Sequence, residues 1–433
     1  MVDFTAKEAF AKLTARTFVA SALLASVFAT SFTPFDANAQ QAKARSIIDV
    51  ILNSNNRDRW SENFDARSSD KKNVKSTTPI FAPQTVQFLE EAIASYQQIV
   101  QAGGWPVVPA NKKLRIGDRS PAVLTLRKRL MISGDLARRA GLSDQFDTYV
   151  DVAVRRFQKR HGLPADGVLG RYSFAAMNIP ADIRLGQLET NLIRLRSMSG
   201  YLGRRYVMVN IPAAQIEAVE NGRVAQRHTA IVGRISRQTP ILNSKIFEFN
   251  LNPYWNAPVS IVKKDIIPLM QKDPQYLTDN KIRIYDKAKN EIDPTQINWN
   301  SDEAVNYHFR QDPGRINAMG SVKINFPNPH AVYMHDTPQQ GLFNKLLRFD
   351  SSGCVRVQNV RDLLVWLAKD TEGWSRRAIE QTIESGERID VKLNEPVPVY
   401  FTYVSAWSTD GGVVQFRDDI YQRDGVDELA LKQ

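Results

Sequence analysis

The chain has 433 residues, of which 43% are hydrophobic and 24% charged, and it carries a formal net charge of +11. This composition is typical of folded proteins and argues against disorder throughout, and the length suffices for two or three domains with separate cores. The positive charge favours acidic partners.

The first 39 residues have the form of a secretory signal peptide. Lys7, Lys12 and Arg16 precede an apolar run at 18–28, and Ala37-Asn38-Ala39 offers the small residues of a cleavage site. A membrane anchor is the alternative, but a helix needs roughly twenty apolar residues to span a bilayer and this run is much shorter. The sequence therefore predicts export, cleavage after Ala39 and a location in the periplasm or cell envelope.

Export of the chain favours binding partners that occur in the cell envelope. The basic residues of the leader are balanced by Asp3, Glu8 and Asp36, so the net positive charge belongs to the exported part. Acidic polymers and anionic lipid head groups of a cell envelope fit such a chain. The absence of a nucleic-acid motif argues against nucleic acid, and a basic surface that is merely solvated remains the alternative.

Two helices are predicted to form a scaffold. In residues 40–110, a polar and flexible segment precedes a helix from Pro83 to Ala102, whose apolar residues recur at helical spacing until Gly103-Gly104 ends it. Residues 181–203 contain a second amphipathic helix with four leucines on one face. We expect the two helices to pack against each other.

Residues 111–180 form a separate unit with two further apolar-faced helices. Its most distinctive stretch runs from Phe157 to Gly167 and reads FQKRHGLPADG, in which Phe157 and Leu163 are predicted core residues and His161 a surface residue. This unit resembles the small three-helix peptidoglycan-binding domain. The position of its binding surface does not follow from the sequence.

From residue 204 the apolar period changes to two, which predicts a sheet domain over 204–424. Asn221-Gly222 between alternating apolar runs predicts a hairpin. Residues 261–315 interrupt the strands with charged, helical and aromatic segments, too long for an ordinary connection. Pro398–Val404 and Val413–Phe416 are predicted to form a closing hairpin, and 425–433 to be a tail.

The chemistry is expected around Cys354, which is the only cysteine in the chain. It follows Ser351, Ser352 and Gly353 on a predicted tight turn into a strand, and His335 ends another short apolar strand nineteen residues earlier. A single cysteine has no internal disulfide partner in an oxidising compartment. A thiol with an imidazole nearby has the elements of a nucleophile and its base, although a buried core cysteine is the alternative.

This stretch resembles the signature of the L,D-transpeptidases, cell-wall enzymes with a YkuD-type catalytic domain. The matching positions are His335, Ser351, Gly353, Cys354, Val355 and Arg356. Ser352 departs from the pattern, because most members have a second histidine there. A serine at this place, together with the stretch HDTP that begins at His335, is similar to the large multidomain periplasmic subgroup.

The resemblance implies a multidomain α+β fold. It implies a mostly-β catalytic domain with an inserted lid over the active site, a helical scaffold and the peptidoglycan-binding-like unit. The lid is residues 261–315 in this reading. Asn252-Pro253-Tyr254-Trp255 resembles another segment of the catalytic domain, and Trp255 is expected either in the core under the catalytic sheet or in the substrate groove.

The resemblance also implies a reaction. Cys354, activated by His335, would attack a peptidoglycan stem peptide, release D-alanine and pass the acyl group to another stem as a 3-3 cross-link. Attachment of an outer-membrane protein by the same chemistry and an inert wall-binding protein are the alternatives. Carbapenem β-lactams are expected inhibitors, and neither a cofactor nor a metal is implied.

Several neighbours of the pair are expected to bind substrate or the oxyanion. Backbone N–H groups near Gly353 and Cys354 are the natural oxyanion donors. Tyr333 shares a strand face with His335 by alternation, whereas Asp336 points to the opposite face, so a backbone carbonyl is expected to orient the imidazole. The remaining candidates are Ser351, Ser352, Arg356 and Trp255.

Overall fold

The computed structural model describes residues 76–198 and 202–425. The predicted signal peptide, most of the predicted flexible segment and residues 426–433 lie outside these ranges. No helix within them is long and apolar enough to cross a membrane.

Helices occupy the first half of the described chain. They are α1 (Pro83–Gln101), α2 (Pro121–Ile132), α3 (Thr148–Arg160), α4 (Arg171–Met177) and α5 (Ala181–Ser197). Leu89 and Tyr96 of α1 share one buried cluster with Leu188 and Leu195 of α5. The predicted contact between these two helices is therefore confirmed.

Helices α2, α3 and α4 enclose a second core. Asp147 caps α3 by accepting a hydrogen bond from the N–H of Val150 at 3.1 Å, which satisfies a free donor of the first turn. Phe157 and Leu163 are buried, as expected. The prediction for His161 is wrong: its side chain is 6% exposed, and its ring stacks on Phe157 with centroids 3.8 Å apart.

Strands dominate the second half. Within the described residues they are β1 (Arg205–Asn210), β2 (Gln215–Glu220), β3 (Arg223–Gly233), β4 (Leu242–Leu251), β5 (Trp255–Ala257), β6 (Ile282–Tyr285), β7 (Glu291–Ile292), β8 (His308–Gln311), β9 (Val322–Asn325), β10 (Met334–His335), β11 (Phe349–Ser351), β12 (Val355–Val357), β13 (Ile389–Thr402), β14 (Ala406–Thr409) and β15 (Val413–Phe416).

The main sheet has the order β11-β3-β12-β10-β9-β4-β13-β1-β2, and an additional pairing of β2 with β3 closes it on itself. Closure removes free strand edges and creates a barrel-like interior. The β2–β3 hairpin turns at Asn221 and Gly222, whose φ angles of 52° and 72° are those of a type I′ turn. The predicted hairpin and the α+β class are thus confirmed.

The interior is filled by alternate side chains of these strands. Phe249, Ile324, Met334 and Val355 are fully buried or nearly so and belong to one apolar cluster. Helices α9 (Val360–Leu367) and α10 (Arg376–Ser385) contribute to the same cluster. Because side chains alternate along each strand, the residues between these apolar ones lie on the opposite face of the sheet.

A smaller sheet with the order β5-β8-β6-β7 forms a body of its own. Its helices are α6 (Val259–Ile261), α7 (Ile267–Lys272) and α8 (Tyr276–Asp279), with a π-helical turn at Val262–Ile266 between α6 and α7. Leu277, Ile284 and Phe309 lie in a separate apolar core. This body includes β5 as well as the residues of the predicted insert, and we call residues 255–311 the lid.

The predicted closing hairpin is partly wrong. Residues 398–402 belong to the long strand β13, which pairs with β1 and β4 in the main sheet. The partner of β15 is β14, which begins at Ala406. Residues 401–409 are all buried, including polar Thr402 and Ser405, so alternation alone does not indicate where one strand ends and the next begins.

Candidate active site

The strand register brings His335 and Cys354 to one face of the sheet. β10 and β12 pair in parallel with His335 opposite Arg356. Alternation then puts Cys354, two residues before Arg356, and Tyr333, two residues before His335, on this same face. The intervening Val355 is fully buried on the other face. The predicted pair is therefore assembled from the ends of two adjacent strands.

The turn before Cys354 is held by Ser351. The Oγ of Ser351 accepts a hydrogen bond from the N–H of Gly353 at 3.1 Å and donates to the carbonyl oxygen of Cys354. Gly353 has φ of +114°, which side chains with a Cβ rarely adopt. Because Ser351 occupies the N–H of Gly353, the N–H of Cys354 is the better candidate for an oxyanion donor.

Two residues from distant segments support this turn. The hydroxyl of Thr239 donates to the carbonyl of Gly353 at 2.9 Å and accepts from the N–H of Gly233 at 2.8 Å. The hydroxyl of Tyr421 donates to the carbonyl of Gly233 at 2.6 Å and accepts from the N–H of Thr239 at 3.2 Å. The sequence analysis missed both residues, since no local motif indicates them.

The thiol of Cys354 is half-buried, and burial raises its pKa. Polar contact with Tyr333 and the charges of Lys323 and Arg356 act in the opposite direction. The ring of Tyr333 lies edge-on to the His335 imidazole with centroids 5.5 Å apart. Tyr333 thus contacts both members of the pair, in agreement with its predicted position.

The imidazole of His335 is buried, with 6% of its surface exposed. Burial lowers its pKa to about 3, the charges of Arg356 and Lys323 act in the same direction, and backbone groups of Asp336 and Met319 partly oppose them. Its Nδ1 has no hydrogen-bond partner among the described residues. At neutral pH the ring is uncharged, so the resting pair is a neutral thiol and a neutral imidazole.

The carboxylate of Asp336 does not orient the imidazole. Its carboxylate accepts hydrogen bonds from the N–H and the hydroxyl of Ser321, at 3.0 and 2.8 Å, and from the amide of Gln340 at 3.1 Å. A Cβ on Gly320 would lie 2.6 Å from this carboxylate, so the close approach requires glycine. The side chain is committed to neighbouring loops, as the expected alternation requires.

Lys323 is a further member of the site that the sequence analysis missed. It lies directly opposite His335 on β9, and its Nζ is 4.8 Å from the centre of the Tyr333 ring. Burial lowers its pKa, and the charge of Cys354 acts against this shift. No described carboxylate lies within 4.0 Å of its Nζ. Alternation in β9 indicated a polar-face lysine but not the residues that it would meet.

Arg356 has unused donors. Burial lowers its pKa, and the nearest of its hydrogen bonds to a side chain is to the amide oxygen of Gln339 at 3.4 Å. Its Nε is buried without a partner among the described residues. A guanidinium in this state suits a planar carboxylate, for which it offers parallel N–H groups.

Trp255 lies in the lid and not under the catalytic sheet. It begins β5, which pairs with β8, and its half-buried side chain packs against the lid core. It also makes a polar contact with Tyr333. Of the two expected positions, the core position is wrong, and Trp255 forms a wall where the lid meets the site.

Ser352 connects the cysteine turn to the lid. Its exposed hydroxyl accepts a hydrogen bond from Arg237 at 2.8 Å, and Arg237 forms an ion pair with Asp265, with Nη2 and Oδ1 3.0 Å apart. Asp265 belongs to the π-helical turn, a feature often found at functional sites. Ser352 therefore contacts the lid through Arg237.

Within the described ranges, histidine, cysteine and carboxylate side chains do not cluster in a way that could hold a metal ion.

Two segments match known families. Residues 204–388 match the model of the L,D-transpeptidase catalytic domain, and residues 119–177 match a model named "Putative peptidoglycan binding domain". Both resemblances noted from the sequence are confirmed for these segments.

Individual relatives point the same way. A curated protein from Haemophilus influenzae, named "Putative L,D-transpeptidase", is 36% identical over 245 residues, which are 56% of this chain and 49% of that protein. This chain therefore aligns with about half the length of its curated relative.

Among solved structures, an L,D-transpeptidase from Xylanimonas cellulosilytica is 16% identical, with 68% of this chain and 99% of that chain covered and a TM-score of 0.23. A transpeptidase in complex with imipenem is 13% identical, with 46% and 59% covered and a TM-score of 0.21.

Proposed function

We propose that the chain is a cysteine-dependent L,D-transpeptidase, an acyltransferase that cross-links peptidoglycan stem peptides in the periplasm. One observation carries the proposal: Cys354, His335 and Tyr333 share one face at the ends of β10 and β12, inside a segment matching the L,D-transpeptidase catalytic domain.

In the first half-reaction the thiol attacks the carbonyl between the third stem residue and the terminal D-alanine. The proton of the thiol passes to His335, the S–C bond forms, and the negative charge on the carbonyl oxygen is met by the N–H of Cys354. The imidazolium then protonates the leaving amine as the C–N bond breaks. The products are D-alanine and a thioester on Cys354.

In the second half-reaction the side-chain amine of another stem attacks the thioester. His335 accepts the proton of the amine, a C–N bond forms, the C–S bond breaks, and the thiolate recovers its proton. Thioesters react readily with amines, so a site that excludes water favours transfer over hydrolysis. The lid, with Trp255 against Tyr333, is placed to exclude water.

The charges of the site fit this substrate class. Stem peptides carry free carboxylates, and Lys323 and Arg356 flank His335 across the sheet without a carboxylate partner within 4.0 Å among the described residues. These two positive side chains would bind a carboxylate of the stem peptide, and they would also stabilise the thiolate of Cys354 that leaves in the second step. Both also disfavour imidazolium, so proton uptake by His335 depends on the negative charge that develops during attack.

Carbapenems follow as inhibitors from the same chemistry. A β-lactam carbonyl is a strained acyl group, and attack by Cys354 would leave a stable thioester in place of the stem acyl group.

The test is a product assay with purified disaccharide tetrapeptide. Wild type should release one D-alanine for each 3-3 linked dimer seen by mass spectrometry, and Cys354→Ala should release none. Release that requires an added outer-membrane protein would identify attachment of that protein as the function. Wall binding without release of D-alanine under either condition would contradict the proposal and support an inert wall-binding protein.

A further inference from the structure

A small cavity lies where the peptidoglycan-binding-like unit meets the sheet domain. Its volume is about 50 Å³. A buried water molecule needs roughly 10–15 Å³ on this measure, so the space suffices for a few waters or for one small oxyanion. The lining that matters here is His161 and Gly162 from the end of α3, Leu346 and Arg348 from the chain between His335 and Cys354, and Arg417 and Asp418 beyond β15.

Two guanidinium groups line this cavity without a carboxylate within 4.0 Å in the described part of the chain. Arg348 donates to the carbonyls of Ala213 at 3.2 Å and Lys345 at 3.3 Å, and its Nε is buried without a partner. Arg417, 8% exposed, donates to the carbonyls of Arg160 at 3.0 Å and Phe416 at 2.7 Å. Arg417 also donates to the side-chain amide oxygen of Gln415 at 3.4 Å, and its guanidinium carbon lies 4.8 Å from the centre of the Trp407 ring. Neither arginine therefore has an anionic partner within 4.0 Å among the described residues.

The arrangement is unfavourable as it stands. Burial lowers the pKa of Arg417 to about 9, with repulsion from Arg348 in the same direction, and burial lowers the pKa of Arg348 to about 10. Asp418 also lines the cavity, but its charge acts on Arg184 of α5 as well. Buried charges in proteins are normally paired.

A nearby ion pair provides the contrast. Arg160, also buried, is joined to Asp135 with Nη2 and Oδ2 2.6 Å apart. The same interface thus contains one arginine with a carboxylate partner and two without. We propose that the cavity binds a small oxyanion, a carboxylate or phosphate group, between the guanidinium groups of Arg348 and Arg417.

A ligand in this cavity would connect the segment before Cys354 to the peptidoglycan-binding-like unit. The carbonyl of Arg348 accepts a hydrogen bond from the N–H of Val232 at 2.9 Å, and the next residue begins β11, which leads through Ser351 to Cys354. On the opposite wall, a Cβ on Gly162 would lie 2.8 Å from Nε of Arg417. An anion held here ties the approach to the cysteine turn to the peptidoglycan-binding-like unit.

Thermal unfolding of the full chain tests the site. Inorganic phosphate is titrated against chloride at constant ionic strength, and acetate and a stem tetrapeptide are titrated in the same way in a Cys354→Ala background, which prevents turnover. We expect a gain of about 2 °C in Tm at saturation, either for wild type with phosphate or for Cys354→Ala with one of the carboxylates. The ligand with the larger shift identifies the source as phosphate or carboxylate.

Variants separate this site from general salt effects. Arg348→Met should lose the ligand-dependent shift, and Arg348→Lys, which keeps the charge without the planar fork, should retain only part of it. Arg223→Met, at the exposed start of β3 and outside the cavity, should behave as wild type. Equal shifts in all four proteins, or no shift with any of the three ligands, would overturn the proposal.

Discussion

Two pairs of positively charged side chains lie near the segment between His335 and Cys354, one pair at the active site and the other at the cavity. At the active-site end, Lys323 and Arg356 are half-buried and face the reacting groups. At the cavity end, half-buried Arg348 and buried Arg417 line one cavity between two structural units and repel each other. A cation beside a thiol can stabilise a charge that appears during the reaction, whereas in our proposal the two cations of the cavity are neutralised by an anion that is bound throughout. Burial alone does not distinguish them; the neighbours do.

Removing the imidazole at the active site should have the largest effect on activity. We expect His335→Asn to lower kcat/KM by about 10²–10⁴-fold, because proton transfer through the imidazole is lost. His330→Asn, at an exposed position, should retain wild-type activity. Wild-type turnover in His335→Asn would show that the base is another group.

The cysteine turn should be nearly as sensitive to its backbone. Gly353→Ala forces a Cβ onto a residue with φ of +114°, at a cost of about 1–3 kcal/mol or a displaced thiol. We expect about 100-fold slower acylation by a carbapenem, measured by intact mass. Gly341→Ala is the matched control, because an added Cβ there meets nothing within 4 Å. Equal rates in the two variants would mean that the turn is not strained.

A smaller change sharpens the assignment of Lys323. Burial raises the pKa of the thiol and the ammonium opposes this rise. Lys323→Met should therefore move the pH midpoint of Cys354 alkylation by iodoacetamide upward, and Lys323→Arg should restore it. Lys128→Met, exposed on α2, is the control. An unchanged midpoint in Lys323→Met would remove this lysine from the site.

Each of the two places has a buried histidine, His335 at the active site and His161 at the cavity, and both should make the stability of the fold depend on pH. Burial lowers the pKa of His335 to about 3, and burial also lowers the pKa of His161. Both rings are neutral in the folded state, so the unfolded chain binds more protons below about pH 6.5. The free energy of unfolding should therefore fall as pH drops below 6.5, by about 1 kcal/mol per pH unit toward pH 3 for His335 and in the same direction for His161.

Replacing the histidines one at a time separates their contributions. His335→Asn and His161→Asn should each make the pH dependence of chemical denaturation shallower between pH 6 and 4, and His330→Asn should not. Identical slopes in all proteins would mean that neither ring is held neutral by burial.

The sequence predicted the parts of the site that depend on short-range pattern. The strand ending at His335, the turn into Cys354 and the alternation that brings Tyr333 to the same face are local features, and the structure has them in the expected places. Lys323 was missed because its neighbours depend on which strands pair. Thr239 lies far from Cys354 in sequence, and only the closed sheet brings them together.

The errors have the same origin. His161 carries a polar ring in a basic stretch, and nothing local indicates that Phe157 and Phe416 enclose it. The strand boundary between β13 and β14 falls within residues 401–409, which are buried on both faces, so local alternation could not locate it. Long-range packing decided both cases.

The most direct measurement of the central claim is the intact mass of the protein after brief exposure to disaccharide tetrapeptide without an acceptor. The account predicts a gain equal to the disaccharide tripeptide acyl group, mapped to Cys354 by peptide digestion, absent in Cys354→Ala and strongly slowed in His335→Asn. An adduct at any other residue, or D-alanine release by Cys354→Ala at the wild-type rate, would contradict it.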